Sequence, residues 1–419
     1  MKQRLFLIIY LLFFSYKAYT LETEEVSLWK EDIQQLQKLI EIHHIDPFVN
    51  IDKYEFYEQI HNLLKSLPDM NEAEVEVGIM RLMRSIGDGH TFYNMMSGPH
   101  RHYPFRFKYF VDKLKVVDSI AKYSFLQGAE LTAVNGYSIP KLEQQLAPFV
   151  NYVDNPYSFR FSFSLHITLA KFLYGTGISD GQDEVTYQFL KDGRSISMKV
   201  HSVPMEKFGG LNTQYPVLVP DINYFNIDLS GIRLALLGKY DAVYVDFDSY
   251  PDFSDLQEQC ENIVDIIRGS RVQNLVIDFR DNHGGDFYVG LALSSCIQNL
   301  DQFDWRNGIY VMIDEGTQSA AMSNAAQYQQ ILNANLVGTP TGADPNIASE
   351  TNRFKLKNSK REISIAKRYY RFIQSPTDAL YPDFPMTTSW RDYKQGRDGA
   401  LLQLLNHIQE KDRENQVKS

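Results

Sequence analysis

The sequence predicts a mixed α/β protein, an α+β chain of several modules, on three observations. Residues 275–285 read LVIDFRDNHGG and residues 309–321 read IYVMIDEGTQSAA. Each is a Val/Ile/Tyr run suited to a buried strand, then a glycine-bearing loop, then a helical pattern. Before residue 90 apolar residues recur at helical spacing, and between residues 103 and 203 they fall into short β-like pieces.

Taken in order, residues 1–20 place Lys2 and Arg4 ahead of the apolar run 5–14, with Ala18 and Thr20 after it. That is the pattern of a cleaved export signal. The apolar run is far shorter than the roughly 20 residues a helix needs to cross a bilayer, so the chain is expected to be secreted or periplasmic, with no membrane span after cleavage. Without Lys2, Arg4 and Lys17 it carries 39 basic against 52 acidic residues, a balance that argues against nucleic acid as a partner. Its 419 residues, 44% hydrophobic, suffice for sizeable cores.

Residues 21–102 form an expected helical unit. Ile33, Leu36 and Ile40 share one face, residues 54–67 give a second amphipathic pattern ended by Pro68, and Asn71 with Glu74 has capping-box spacing ahead of Val75, Ile79, Leu82 and Ile86. Gly87 ends this third helix. GDGHT, residues 87–91, then presents His90 from a glycine turn, which makes His90 a candidate general base. His43, His44, His100 and His102 read as solvated surface histidines and not as a metal hydrolase's ligands, because adjacent His43 and His44 project in different directions on a helix and His100 and His102 have no nearby carboxylate set.

Residues 103–203 form a β-rich module, with FRFKYFV, LKVVDSI, GAELTAVNG and a hairpin about Asp192-Gly193. A helix is expected at 139–149. The unit at 204–419 holds a strand at 242–248, a helix at 255–268, the two strand–loop–helix repeats, the turn TPTGADPN at 339–346 and a helix at 399–409; residues 410–419 read as a charged, frayed end. Cys260 and Cys296 flank the strand near residues 272–279. An exported chain could bridge them, or they could be two buried thiols on apolar helix faces.

Ser319 stands where the second repeat enters its helix. The plain role there is an N-cap. The chemical one is a nucleophile, since the unpaired first N–H groups of a helix stabilise an oxyanion. Ala320 supplies one such amide, and Gly285, which has no Cβ to hold a substrate away, is the expected second donor. Gly284 and Thr317, beside them, are the candidate substrate contacts. His283 in the glycine loop is a rival base.

Several of these pieces together resemble the tail-specific, or C-terminal processing, serine peptidases, including their tricorn-like branch. GDGHT resembles the branch's histidine motif, GAELTAVNG at 128–136 a PDZ-like segment, LVIDFRDNHGG the strand ending in a glycine pair, and TQSAA at 317–321 the nucleophile motif. LVGTPTGADPN at 336–346, YPDF at 381–384 and residues 396–400 follow in family order. The resemblance spans about residues 28–408. It implies a crotonase-like or ClpP-like β/α superhelix with an inserted PDZ-like module, with Ser319 as nucleophile, His90 as base, and the Gly285 and Ala320 amides as the oxyanion hole.

TGADP lacks the lysine of Ser-Lys members, which favours Ser-His chemistry. The branch's serine before the histidine is here Gly89, and its glutamate before the late Pro-Asp is Tyr381; Asp383 is the nearby carboxylate that could orient His90. The expected activity is hydrolysis of peptide or protein substrates through an acyl-enzyme, with no cofactor or metal. The alternative is a catalytically inactive protein that binds a peptide or apolar ligand in the same cleft.

Overall fold

The computed structural model describes residues 20–208 and 222–418. The expected export signal, residues 1–20, lies outside them apart from its last residue, as does part of the Pro- and Gly-punctuated stretch after residue 204.

Helices α1 (Thr23–His43), α2 (Lys53–Ser66) and α3 (Glu72–Arg84) come first. The α3 start is the expected capping box: Asn71 Oδ1 accepts from the Glu74 N–H at 3.1 Å, and Glu74 Oε2 accepts from the Asn71 N–H at 2.7 Å. Val75, Ile79, Leu82 and Ile86 are all buried. Gly87 sits at φ +90°, and a Cβ there would lie 2.7 Å from the Asn50 side chain, so the helix stops where glycine permits a reversal.

The chain then forms β1 (Phe92–Asn94) and a meander, β2 (Phe105–Phe110), β3 (Lys113–Ser119) and β4 (Glu130–Val134). Helices α4 (Ile139–Leu146) and α5 (Pro156–His166) precede the hairpin β5 (Glu184–Lys191) and β6 (Arg194–His201). These strands pair antiparallel in the order β2-β3-β4-β5-β6. Asp192 and Gly193, at φ +48° and +75°, make the expected tight turn.

The larger sheet contains β7 (Ile232–Leu237), β8 (Ala242–Phe247), β9 (Asn274–Asp278), β10 (Ile309–Ile313) and β11 (Asn335–Gly338). A hairpin, β12 (Ala348–Lys355) and β13 (Glu362–Tyr369), stands apart and pairs with β1; β14 (Phe384–Pro385) returns to the large sheet beside β11. From β8 to β14 the pairing is parallel, as the strand–helix repeats require.

Alternation along these strands makes two cores. Leu275, Ile277, Val311 and Ile313 face α6 (Phe253–Ser270), α7 (Phe287–Ile297) and α8 (Ser319–Ile331). Val276, Tyr310, Met312 and Val337 face Leu401, Leu404, Leu405 and Ile408 of α9 (Gly399–Lys418).

Three expectations need correction or resolution. The stretch 410–419 is helical where it is described: α9 runs to Lys418, and Lys411, near the start of the stretch, donates from Nζ to Asn274 Oδ1 and to the Asn307 carbonyl, each at 3.0 Å. His44 and His102 are not surface residues. The chain leaves α1 in an extended conformation at His44, which turns the ring inward to meet Asp88 Oδ2 at 2.9 Å. His102 is buried, with Nδ1 3.1 Å from Thr168 Oγ1, and burial lowers its pKa to about 3. Between the two cysteine readings the bridge is the one present: Cys260 on α6 is bonded to Cys296 on α7, with 5.8 Å between Cα atoms. Among the described residues no helix is long and apolar enough to cross a membrane.

The Cys260–Cys296 bridge closes a loop with a sequence separation of 36, for which chain entropy gives a stabilisation of roughly 4 kcal/mol. A Cys260→Ser/Cys296→Ser variant is expected to unfold at lower denaturant than the oxidised parent, and reductant should bring the parent to the variant's midpoint. Equilibrium denaturation with and without reductant checks both.

Candidate active site

Two loops meet above the ends of β9 and β10. The first is tied to its strand by Arg280, whose Nε donates to Asp278 Oδ1 at 2.9 Å and whose Nη1 donates to Asp398 Oδ1 at 2.9 Å. Asn282 shapes its tip, donating from Nδ2 to the Phe247 carbonyl at 2.6 Å and accepting the Gly284 N–H at 2.9 Å. The second loop is held by Asp314, whose Oδ1 accepts the Gly316 N–H and, across the gap, the Asp281 N–H, each at 2.9 Å. The Gln318 N–H then donates to the Asn282 carbonyl at 3.0 Å. Backbone groups that would be unpaired in isolated loops are thus satisfied by the opposite loop.

Ser319 opens α8 with φ +47°, the left-handed region that an L-residue enters at a cost. Gly284, at φ +98°, lies so close that a Cβ on it would stand 2.6 Å from Ser319 Cβ and 2.9 Å from the Ala320 nitrogen. Ala320 is the second residue of the helix, where an N–H has no partner within the helix. Gly285 is in the same loop, but its missing Cβ makes room for Tyr250, at 2.5 Å. The glycine that approaches Ser319 most closely is therefore Gly284.

The histidine loop arrives from the other side. Asp88 Oδ1 accepts the N–H groups of His90 at 3.0 Å and Thr91 at 2.6 Å, while Oδ2 meets His44. Asp154 accepts the Gly89 N–H. So held, His90 places Nε2 3.1 Å from Ser319 Oγ. Burial lowers the His90 pKa, partly opposed by the Asp88 charge, which favours the neutral imidazole that can accept a proton. Among the described residues His90 Nδ1 is buried without a partner.

The remaining candidates lie elsewhere. Asp383 does not meet His90; it accepts the Leu336 N–H at 2.8 Å and Gln329 Nε2–H at 3.3 Å. Thr317 is wholly buried and its hydroxyl donates to the Phe279 carbonyl at 2.8 Å, so it braces the loop and has no surface to offer a substrate. His283 Nδ1 lies 3.2 Å from the Gly316 carbonyl and the ring packs on Phe161, 5.1 Å between centroids.

Sequence reasoning missed Asp88, Asp154, Asp314, Lys108 and Ser349. Lys108 of β2 stands 4.0 Å from both Asp281 and Asp314 and lowers the Asp281 pKa. Ser349 Oγ lies 3.2 Å from His90 Nε2. Asp88, two residues before His90, had a readable signal in the habit of Asp to accept amides just ahead of it. The others depend on long-range packing.

No family model matches the chain, and no curated protein matches it. Among solved structures, mature CPAF complexed with lactacystin is similar at a TM-score of 0.65 and 10% identity, over 91% of this chain and 97% of that one. Mature CPAF in a second crystal structure gives 0.63 and 10%, over 91% and 96%. The photosystem II D1 C-terminal processing protease aligns over 87% of this chain and 93% of its own at 13% identity, with a TM-score of 0.42, too low to carry an argument. The chain therefore has the fold of mature CPAF. The resemblance to C-terminal processing serine peptidases read from the motifs holds at the level of that fold.

Burial raises the Asp154 pKa to about 7 from 3.8. The folded chain thus keeps a proton that the unfolded chain has lost, and the contribution of this group to stability falls as pH rises from about 4 through about 7. Asp154→Asn, which keeps an acceptor for the Gly89 N–H, is expected to flatten that part of the profile. Urea unfolding at pH 5 and pH 8 measures it; an unchanged pH difference between parent and variant would contradict the assignment.

Proposed function

We propose that the protein is an exported serine peptidase in which Ser319 is the nucleophile and His90 the general base. The observation that carries this is the 3.1 Å contact between His90 Nε2 and Ser319 Oγ, made by loops 229 residues apart in the chain. His90 takes the hydroxyl proton as Oγ attacks a peptide carbonyl, and gives it to the departing amine. The negative charge on the carbonyl oxygen falls to the Ala320 amide at the helix start and to an amide of the glycine loop, Gly285 in this assignment, with Gly284 leaving room for the approach.

The substrate class is a peptide or protein, on the strength of the motif resemblance and the shared fold with CPAF. On this reading residues 21–102 are the helical unit that brings His90, residues 103–203 a PDZ-like module, and residues 204–419 a catalytic unit of crotonase-like or ClpP-like build. Residues 1–20 direct the chain to the exterior or the periplasm. TGADP, residues 341–345, offers no lysine, which supports reading the chemistry as Ser-His and not Ser-Lys. One observation favours the second reading, an inactive ligand-binding protein: His90 Nδ1 lacks the carboxylate that usually orients such a ring.

A fluorophosphonate probe separates the two. Labelling is expected in the parent and in Ser323→Ala and to vanish in Ser319→Ala. His90→Ala should reduce the labelling rate on the order of 10²–10⁴-fold, the range for loss of a general base, whereas His283→Ala should stay within a few-fold of the parent. Equal labelling of the parent and Ser319→Ala would falsify the assignment.

A further inference from the structure

Two hydroxyls converge on one nitrogen of His90. Ser319 Oγ lies 3.1 Å from Nε2, and Ser349 Oγ, on β12, lies 3.2 Å from the same atom. A neutral imidazole nitrogen has one acceptor lone pair, so the two serines must share it. Among the described residues nothing bonds Nδ1. The polar contacts that aim this ring are therefore both at its reacting end.

The backbone beside Ser349 is distorted. Glu350 adopts φ +53°, and strand pairing lapses at that residue although the register on either side is the same, Ser349 opposite Arg368 and Thr351 opposite Ala366. Such strain persists only where the surroundings fix it, and it concentrates at working sites. Here the Glu350 carboxylate is held by Tyr370 Oη at 2.7 Å, Arg368 Nη1 at 2.9 Å and Lys367 Nζ at 3.1 Å.

We propose that Ser349 is a positioning residue for His90, which holds the ring in place at the stage when Ser319 cannot. The role rests on the peptidase reading above. In the first half-reaction the Ser319 Oγ–C bond forms and the peptide C–N bond breaks, the Ser319 proton passing through Nε2 to the amine. Ser319 is then an ester oxygen with no hydrogen to offer. The Ser349 hydroxyl is the donor that remains at Nε2, and it keeps the unbraced ring facing the acyl carbon until water arrives. Rotation about one bond frees the lone pair for that water. Its oxygen bonds to the acyl carbon, its proton returns through Nε2 to Ser319 Oγ, and the acid leaves. Ser349 thus stands in for the orienting carboxylate that His90 lacks, but from the opposite nitrogen.

The two half-reactions should respond differently to its loss. In Ser349→Ala, fluorophosphonate labelling of Ser319 is expected to stay within about 3-fold of the parent, because Ser319 itself still orients the ring. Steady-state hydrolysis of a p-nitrophenyl acyl ester should fall by about tenfold or more, a part of the roughly 10²–10⁴-fold that general-base catalysis contributes, with a burst of one nitrophenolate per enzyme. Ser349→Thr, which keeps the hydroxyl, should restore turnover. A parallel fall in labelling and turnover, an unchanged turnover, or failure of threonine to rescue a folded variant would overturn the role while leaving Ser319 chemistry intact. A parent that neither labels nor turns over would overturn the peptidase reading, and this role with it.

Discussion

The architecture around Ser319 depends on one steric constraint. The loop carrying Gly284 passes so near the start of α8 that there is no volume for a Cβ at that residue. Everything else at this end of the sheet serves that approach. Parallel pairing of β9 with β10 puts both loop exits at the same edge, Asp314 stitches the loops through their amides, and Arg280 fastens the first loop to β9 and to the residue before α9. The left-handed backbone of Ser319 is the cost of bringing its hydroxyl out of the helix line.

A second, smaller assembly delivers His90. The GDGHT turn runs directly into β1, β1 pairs with β13, and β13 pairs with β12, which carries Ser349. The Thr91 hydroxyl and the Ala366 N–H, at 3.1 Å, lock the turn onto that three-stranded sheet. His90 and Ser349 are therefore tied to the same three-stranded sheet, while Ser319 belongs to the larger one. Two aspartates secure the turn from beneath, the buried Asp88 through its hydrogen bonds to two amides and the half-buried Asp154 through a third. Among the described residues the imidazole itself has hydrogen-bond partners at one nitrogen only.

Much of this was legible in the residues and some was not, for physical reasons. The helix α3, its capping box and its glycine stop are local, and short-range rules found them. The pairing of His90 with Ser319 was reachable because each motif carries its own turn chemistry and the motif order supplied the rest. Thr317 was misjudged because a small hydroxyl beside a glycine loop reads the same whether it faces solvent or the neighbouring strand. Asp383 was misjudged because sequence proximity to a landmark says nothing of the direction of a side chain, and here the nearest unpaired donor was the β11 backbone at Leu336. Ser349 had no signal, since its position comes from a strained residue in a hairpin that touches the active site only after folding. The fate of Cys260 and Cys296 needed the distance between two helices, which no periodicity contains.

One face of the large sheet is covered by α9, through Leu401, Leu404, Leu405 and Ile408. All the strands it covers precede it in the chain. A ribosome-bound nascent polypeptide can thus set Ser319 against Gly284 and still expose Val276, Tyr310, Met312 and Val337 to water until residues beyond 400 emerge. Chaperones would meet a sticky, half-clad sheet until α9 docks.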